Sequence, residues 1–339
     1  MSILVKSIQE YGIQIERFAI LKCNNFIYFI KHDIINFMNV KCNKIIVILA
    51  GFFLIFLYAY NIEPNKLIVN EQDLYLTNWD SSLNGMKIAV VSDLHIGTKR
   101  VPLRKVEDVA ELVTAQNPDF IFVLGDFDAL SIQYSKIPRE KISNALSGLR
   151  GAYAILGNHN YEPANVVEPI LKSAGIKLLR DESAYIYYNN TKIRVCGIED
   201  IWRRHVDVKS VLGEINEPTI FLTHNPDSFP QVSDGVALTL AGHNHGGEIS
   251  FPILGSPLVP SAYGQKYVKG YIIEDGKHLF VTSGVASLCR CRLFNPPEIV
   301  ILNLYSAKAE IKDKSSKKLL HYILLIRSKL KYEKCLHCH

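Results

Sequence analysis

Apolar and polar positions along the chain fall into three regimes. Residues 45–60 read IIVILAGFFLIFLYAY, sixteen apolar or aromatic positions without a charge. A bilayer span takes about 20 residues and at the least about 17, and Asn61 and Ile62 extend the run toward that length. From Met86 onward, short buried-strand runs alternate with helical spacing. Residues 87–93, 120–124 and 152–156 are strand-like and rich in Ile, Val, Phe and Ala. Between the first two, residues 103–116 place Val106, Val109, Leu112 and Val113 on one helical face, and 137–148 and 164–174 read as two further helices. This alternation predicts an α/β layer. Beyond Gly175 the strands crowd together at 184–188, 192–197, 219–223, 236–241, 267–273, 278–282 and 298–304, which predicts a second sheet, mixed or antiparallel. The tail from Ser315 sets Leu319, Leu320, Ile323, Leu324, Leu325 and Leu330 among lysines. That pattern fits either an interfacial helix or a helix packed on its own domain.

The 339 residues accordingly divide into a basic N-terminal segment (1–44), a transmembrane anchor (45–60), a polar linker (61–85), a folded domain (86–306) and a basic tail (307–339). Charge sharpens this division. The formal net charge is +5, but residues 1–44 carry six basic against three acidic side chains and residues 307–339 nine against three. The stretch between them holds 23 basic and 27 acidic residues. A mildly acidic core argues against nucleic acid as a partner, and basic ends suit a membrane surface. Lys31, Lys41 and Lys44 precede the apolar run, whereas Glu63, Glu71 and Asp73 follow it. The positive-inside rule then puts the N-terminus in the cytoplasm and the domain across the membrane. A basic tail lying on an anionic inner leaflet would require the reverse. Seven scattered cysteines form no disulfide framework. The terminal Cys335-Leu-His-Cys338-His339 matches C-x-x-C-H, but no domain there encloses a haem and the match reads as chance.

Five short segments put a metal-compatible side chain just beyond a strand-like run: Ser92-Asp93-Leu94-His95, Gly125-Asp126, Gly157-Asn158-His159, Thr223-His224-Asn225 and Gly242-His243-Asn244-His245-Gly246-Gly247. Ligands gather at the carboxyl ends of strands in α/β sheets. Glycine before Asp126, Asn158 and His243 lets the backbone turn sharply there. Singly these motifs are weak; the ordered set is specific.

In that order (D-x-H, GD, GNH, H, GH-x-H) the chain resembles the calcineurin-like metallophosphoesterases over roughly residues 86–305. It is most similar to their bacterial membrane-associated or exported branch, whose last motif continues as Gly246-Gly247-Glu248-Ile249 does here. Pro260-Ser-Ala-Tyr-Gly264, Lys266-Tyr-Val-Lys-Gly270 and Pro297-Glu298-Ile299 look like that branch too. The resemblance implies an α/β fold, a two-sheet mixed β sandwich flanked by helices, here behind an N-terminal transmembrane anchor. It implies two divalent cations, Mn, Fe or Zn. Asp93, His95 and His245 would hold the first, Asn158, His224 and His243 the second, and Asp126 would bridge both. His159 would be the non-ligand histidine that protonates the leaving oxygen or stabilises the transition state.

Two positions depart from the family pattern. Where GD-x-x-D is usual, Ala129 takes the last place and Asp128 lies one earlier. Where GNH is usually followed by a carboxylate that orients the histidine, Asn160 brings no charge, so a weakened or altered acid step is expected. Relatives in this branch and its neighbours include pyrophosphohydrolases acting on UDP-2,3-diacylglucosamine. A phosphodiester or pyrophosphate in such a nucleotide-lipid, met at the inner membrane by a single-pass protein, is the substrate expectation. The apolar residues 251–259 would either cover an acyl chain or cap the core. Competing expectations are an envelope phosphodiesterase or phosphatase of another substrate, a nuclease, and a scaffold that kept the fold without the chemistry.

Overall fold

The computed structural model describes residues 44, 46–98, 101–127, 137–160, 164–287 and 291–308. The basic N-terminal segment, Asp128 and Ala129, and the tail from 309 with its Cys-Leu-His-Cys-His tip lie outside the described residues. Ile46–Asn65 is a helix long and apolar enough to cross a membrane.

The folded domain is built on two six-stranded sheets. The first runs in the order β1 (Ile68–Leu76), β12 (Glu298–Ser306), β2 (Met86–Val91), β3 (Phe120–Val123), β4 (Tyr153–Ala154), β5 (Lys177–Leu178). The second runs β10 (Gly270–Glu274), β11 (Lys277–Val281), β9 (Leu238–Ala241), β8 (Thr219–Leu222), β7 (Thr191–Gly197), β6 (Glu182–Tyr188). Strands β2 to β5 are mutually parallel, as are β7, β8, β9 and β11, while β6 and β10 close the second sheet as antiparallel edges.

Strands covered on both faces need apolar residues at every position rather than alternately. In β2, Ile88 and Val90 face the space between the sheets with Phe122, Leu124, Ile220, Leu222 and Leu240. Ala89 and Val91 face the other way, onto Val106, Val109 and Val113 of the helix Leu103–Ala115 and onto Ile170 and Leu171 of the helix Ala164–Ala174. A third cluster around Phe221, Phe229 and Tyr267 covers the far face of the second sheet. The layers are therefore helices, sheet, sheet, and a cover of short helices and loops, as expected for a two-sheet mixed sandwich.

Two expectations change. Residues 61–85 are not simply a linker, because β1 pairs in parallel with β12 from Ile68↔Glu298 to Leu76↔Ser306. The last strand does not join the second sheet but enters the first, between β1 and antiparallel β2. Its neighbours are distant in sequence, and local apolar density carries no record of them.

Candidate functional site

All the sequence-singled loops leave the carboxyl ends of parallel strands: Asp93 and His95 after β2, Asp126 after β3, Asn158 after β4, His224 after β8, His243 and His245 after β9. The backbone there is strained. Asp93 (φ 56°), His95 (43°), Asp126 (50°), His243 (68°) and His245 (48°) all sit in the left-handed region. Non-glycine residues rarely adopt it, and clusters of such residues mark functional sites. The motif glycines play a different part from the one expected. Of the three preceding Asp126, Asn158 and His243, only Gly125 needs a positive φ (89°). Gly157 is required because a Cβ would overlap Asp126 Oδ1, and Gly242 because one would overlap Ser92 Oγ. They permit close approach between loops rather than a sharp turn.

The structure brings the seven predicted side chains together. His95 Nε2 lies 3.4 Å from His245 Nε2 and 3.6 Å from Asp126 Oδ2. His245 Nε2 is 3.4 Å from Asp93 Oδ1. Asp126 Oδ2 is also 3.3 Å from His224 Nε2, so one carboxylate oxygen faces both halves of the cluster. Asn158 Oδ1 stands 3.1 Å from His224 Nε2 and 2.8 Å from His243 Nδ1. Asp93, His95 and His245 converge as one potential cation site, and Asp93, Asp126 and His224 as another.

Ring orientation is fixed from behind. His224 Nδ1 donates to Leu124 O at 2.6 Å, and His245 Nδ1 to Ala286 O at 3.1 Å, which turns each Nε2 lone pair to the centre. Two imidazole nitrogens meeting at 3.4 Å between near-parallel rings, with Asp93 Oδ1, His95 Nδ1 and His243 Nε2 buried without a hydrogen-bond partner, are poorly satisfied as protein alone. The donor set of imidazoles, carboxylates and an amide oxygen suits first-row divalent metals. These residues therefore fit a pair of cations.

Burial and charge act against each other here. Burial pushes His95 down to about 4 and His243 down to about 3. It opposes a charge on His224 as well, but Asp126 beside it outweighs that and lifts the imidazole to about 10. Desolvation would raise the carboxyl of Asp126, yet His224 and His95 hold it well below the ordinary range.

His159 is half-buried. Its backbone N–H donates to Asp126 Oδ1 at 3.0 Å and its ring stands edge-on to His95, with centroids 5.1 Å apart. Asn160 does not do what a carboxylate was expected to do for that imidazole. Its Oδ1 accepts from the backbone N–H groups of Phe127 (3.0 Å) and Gly157 (3.3 Å) and so clips the loop in place.

Sequence reasoning missed a sixth strand-end segment, the one after β7. Trp202 sets its ring edge-on to His243 at 4.3 Å. Arg203 Nε donates to the carbonyl of Asn158 at 2.8 Å while its side chain stays exposed. Asp200, buried, receives the Trp202 N–H at 2.9 Å, and burial raises its carboxyl. The rule that flagged the other loops, polar residues directly after a buried strand, applies equally to Glu199 and Asp200.

This fold and cluster define the metallophosphoesterase class, and the comparisons agree. The model of the family "Calcineurin-like phosphoesterase" matches residues 86–247. Phosphodiesterase YaeI of Escherichia coli is 31% identical over 223 residues, covering 64% of this chain and 82% of that one. The UDP-2,3-diacylglucosamine pyrophosphatase LpxG of Chlamydia trachomatis is 24% identical over 318 residues, covering 75% of this chain and 94% of its own. A transmembrane protein with metallophosphoesterase domain from Danio rerio is 27% identical, over 56% of this chain and 46% of that one. The chain belongs to the calcineurin-like phosphoesterase family.

Proposed function

We propose that the chain is a binuclear metal-dependent hydrolase of phosphodiester or pyrophosphate bonds, anchored in the inner membrane by one span and acting on a lipid-linked substrate such as UDP-2,3-diacylglucosamine. The observation that carries the hydrolytic reading is the convergence of four imidazoles, two carboxylates and the Asn158 amide from five strand ends, with several of their buried polar atoms left without a hydrogen-bond partner. Asp93, His95 and His245 would hold one cation, Asn158, His224 and His243 the other, and Asp126, whose Oδ2 faces both groups, would bridge them. Bound there, divalent cations supply an acidified water and charge neutralisation on the phosphoryl oxygens.

The protein's own contribution is positioning and proton transfer. The Leu124 and Ala286 carbonyls accept from Nδ1 of His224 and His245, so Nε2 is the nitrogen each ring turns inward; on His224 a bound cation would take the place of the proton that Asp126 favours there. His159, held at the rim through its backbone bond to Asp126, gives its proton to the leaving oxygen. Support for the lipid-linked part comes from the apolar helix Ile46–Asn65 and from a relative named for a nucleotide-lipid substrate.

The test is hydrolysis of bis-p-nitrophenyl phosphate by the full chain in detergent with added Mn²⁺, followed by UDP-2,3-diacylglucosamine with product analysis. Turnover that EDTA abolishes, and that falls at least ~10³-fold in Asp126→Asn, is expected. No hydrolysis of any diester or of UDP-2,3-diacylglucosamine, with Mn²⁺, Fe²⁺ or Zn²⁺ supplied, would leave only the scaffold alternative.

A further inference from the structure

The glycine pair after His245 does work that metal ligation leaves unexplained. A Cβ on Gly246 would collide with the carboxamide of Asn295, and one on Gly247 with the side chain of Ser256. Gly246 thus makes room for Asn295, and Gly247 lets residues 256–258 close against the rim of the cation cluster. Those residues are braced there. Ser256 Oγ donates to Gly246 O at 3.1 Å, and Ser256 N–H donates to Gln265 Oε1 at 3.0 Å. Asp227, three residues beyond His224, receives Ser261 Oγ at 2.5 Å and Ala262 N–H at 2.7 Å.

Behind the rim lies a cavity of about 430 Å³, walled by Ile249, Pro257, Leu258, Val259 and Pro260, with His245 itself in the wall. Asn244 and Glu248 also line it, but its surface is largely apolar, and such a cavity sharing a residue with a phosphoryl site suits a substrate with a hydrocarbon part. Next to it the loop turns apolar side chains outward. Ile253 is fully exposed, and Leu254 and Leu258 are each 77% exposed. Ile253 also holds φ 73°, a costly conformation for a β-branched residue. Clustered apolar exposure of this kind marks contact with another apolar phase.

The same strip of backbone ties this loop to Ala59 and Glu63, in the stretch that leads into β1. Residues 292–295 pair with 248–251: Leu293 N–H donates to Glu248 O (3.1 Å), Ser250 N–H to Leu293 O (2.9 Å), and the rings of Phe251 and Phe294 lie 6.4 Å apart. Arg292 N–H in turn donates to Ala59 O at 2.9 Å, and Asn295 N–H to Glu63 Oε1 at 2.5 Å. Ala59, Glu63 and Pro64 are the buried residues of the stretch that leads into β1.

We infer that the cavity beside His245 is an acyl-chain subsite, and that Ile253, Leu254 and Leu258 meet the bilayer interface from which that chain is taken. This rests on the phosphoesterase reading and deepens it. The occupant is one hydrocarbon chain of an amphiphilic phosphoester whose phosphoryl group reaches the cluster.

The test uses the full chain in detergent micelles and p-nitrophenyl alkyl phosphodiesters, all with one leaving group, with alkyl chains from ethyl to hexadecyl. In the wild type kcat/KM climbs with each methylene, up to about fourfold per group that becomes fully buried, and levels off once the cavity is filled. Leu258→Asn flattens that slope and Leu258→Met keeps it. Ile273→Asn, an exposed apolar position on β10, keeps both slope and rate. Equal slopes in wild type and Leu258→Asn, measured in the same micelles, would show partitioning into detergent alone and overturn the subsite. A flat wild-type slope, with the ethyl compound turned over, would overturn it as well. No release of p-nitrophenol from even the ethyl compound would instead sink the hydrolytic reading, and the acyl assignment with it.

Discussion

Replacing Asn160 by alanine tests whether the loop carrying Asn158 and His159 is held by the amide beside it. Asn160 is fully buried, and its Oδ1 accepts two backbone N–H groups, from Phe127 at 3.0 Å and Gly157 at 3.3 Å. Truncation leaves both donors buried without an acceptor, at about 1–3 kcal/mol each. Part of this is recovered, because Asn160 Nδ2 has no partner among the described residues and its removal relieves roughly 1 kcal/mol of desolvation. The longer bond to Gly157 belongs at the lower end. The net expectation is about 2–3 kcal/mol. For a domain of this size that is a fall in Tm of roughly 5–10 °C at 2–4 °C per kcal/mol. The loop also bears Asn158, whose Oδ1 faces His224 and His243, so kcat/KM on a diester should drop at least about tenfold. The assay is thermal denaturation of the full chain in detergent beside diester kinetics with saturating Mn²⁺. A Tm within 2 °C of wild type would refute the reasoning, because it would mean water or relaxation satisfies both donors at no cost. Asn160→Asp keeps the acceptor and adds charge. It should preserve Tm better than alanine and shift the pH–rate profile; an unmoved profile means this position does not tune the acid step.

Arg203→Met removes the guanidinium at the rim, beyond the Asn158 carbonyl, and should cost about tenfold in kcat/KM while leaving Tm and the Mn²⁺ midpoint unchanged. Arg203→Lys should fail to rescue it, and full rescue by lysine would show that only charge matters there. Glu199 is buried, and against that desolvation Arg204 and Arg180 hold its carboxyl below the ordinary value. A depressed folded pKa adds stability above the unfolded carboxylate pKa, and the addition disappears as pH falls through the folded value. Glu199→Gln should therefore lower Tm at pH 7 by more than at pH values below about 4; a difference constant across that window would exclude the ion pairs as its source.

Local sequence pattern determined the chemistry-bearing positions and most of the elements in this protein. The apolar run becomes the helix Ile46–Asn65, and helices appear at Leu103–Ala115, Arg139–Leu146 and Ala164–Ala174 where the spacing placed them. The seven converging side chains were readable because each follows a buried strand, and strand burial is a local property recorded in consecutive residues. What the chain could not express locally was decided by tertiary structure. Nothing in residues 68–76 or 298–306 says that they pair with each other, since partners more than 200 positions apart are chosen by the space left on a sheet edge. Gly157 and Gly242 read as turn formers, yet their role is set by what lies opposite, an Asp126 oxygen and a Ser92 hydroxyl. Trp202 and Arg203 reach the site from a strand whose motif resembled none of the five, and the aliphatic cavity exists because residues 246–249 and 257–260 fold against each other. Periodicity encodes which way a side chain faces, whereas proximity across loops is a property of the closed fold alone.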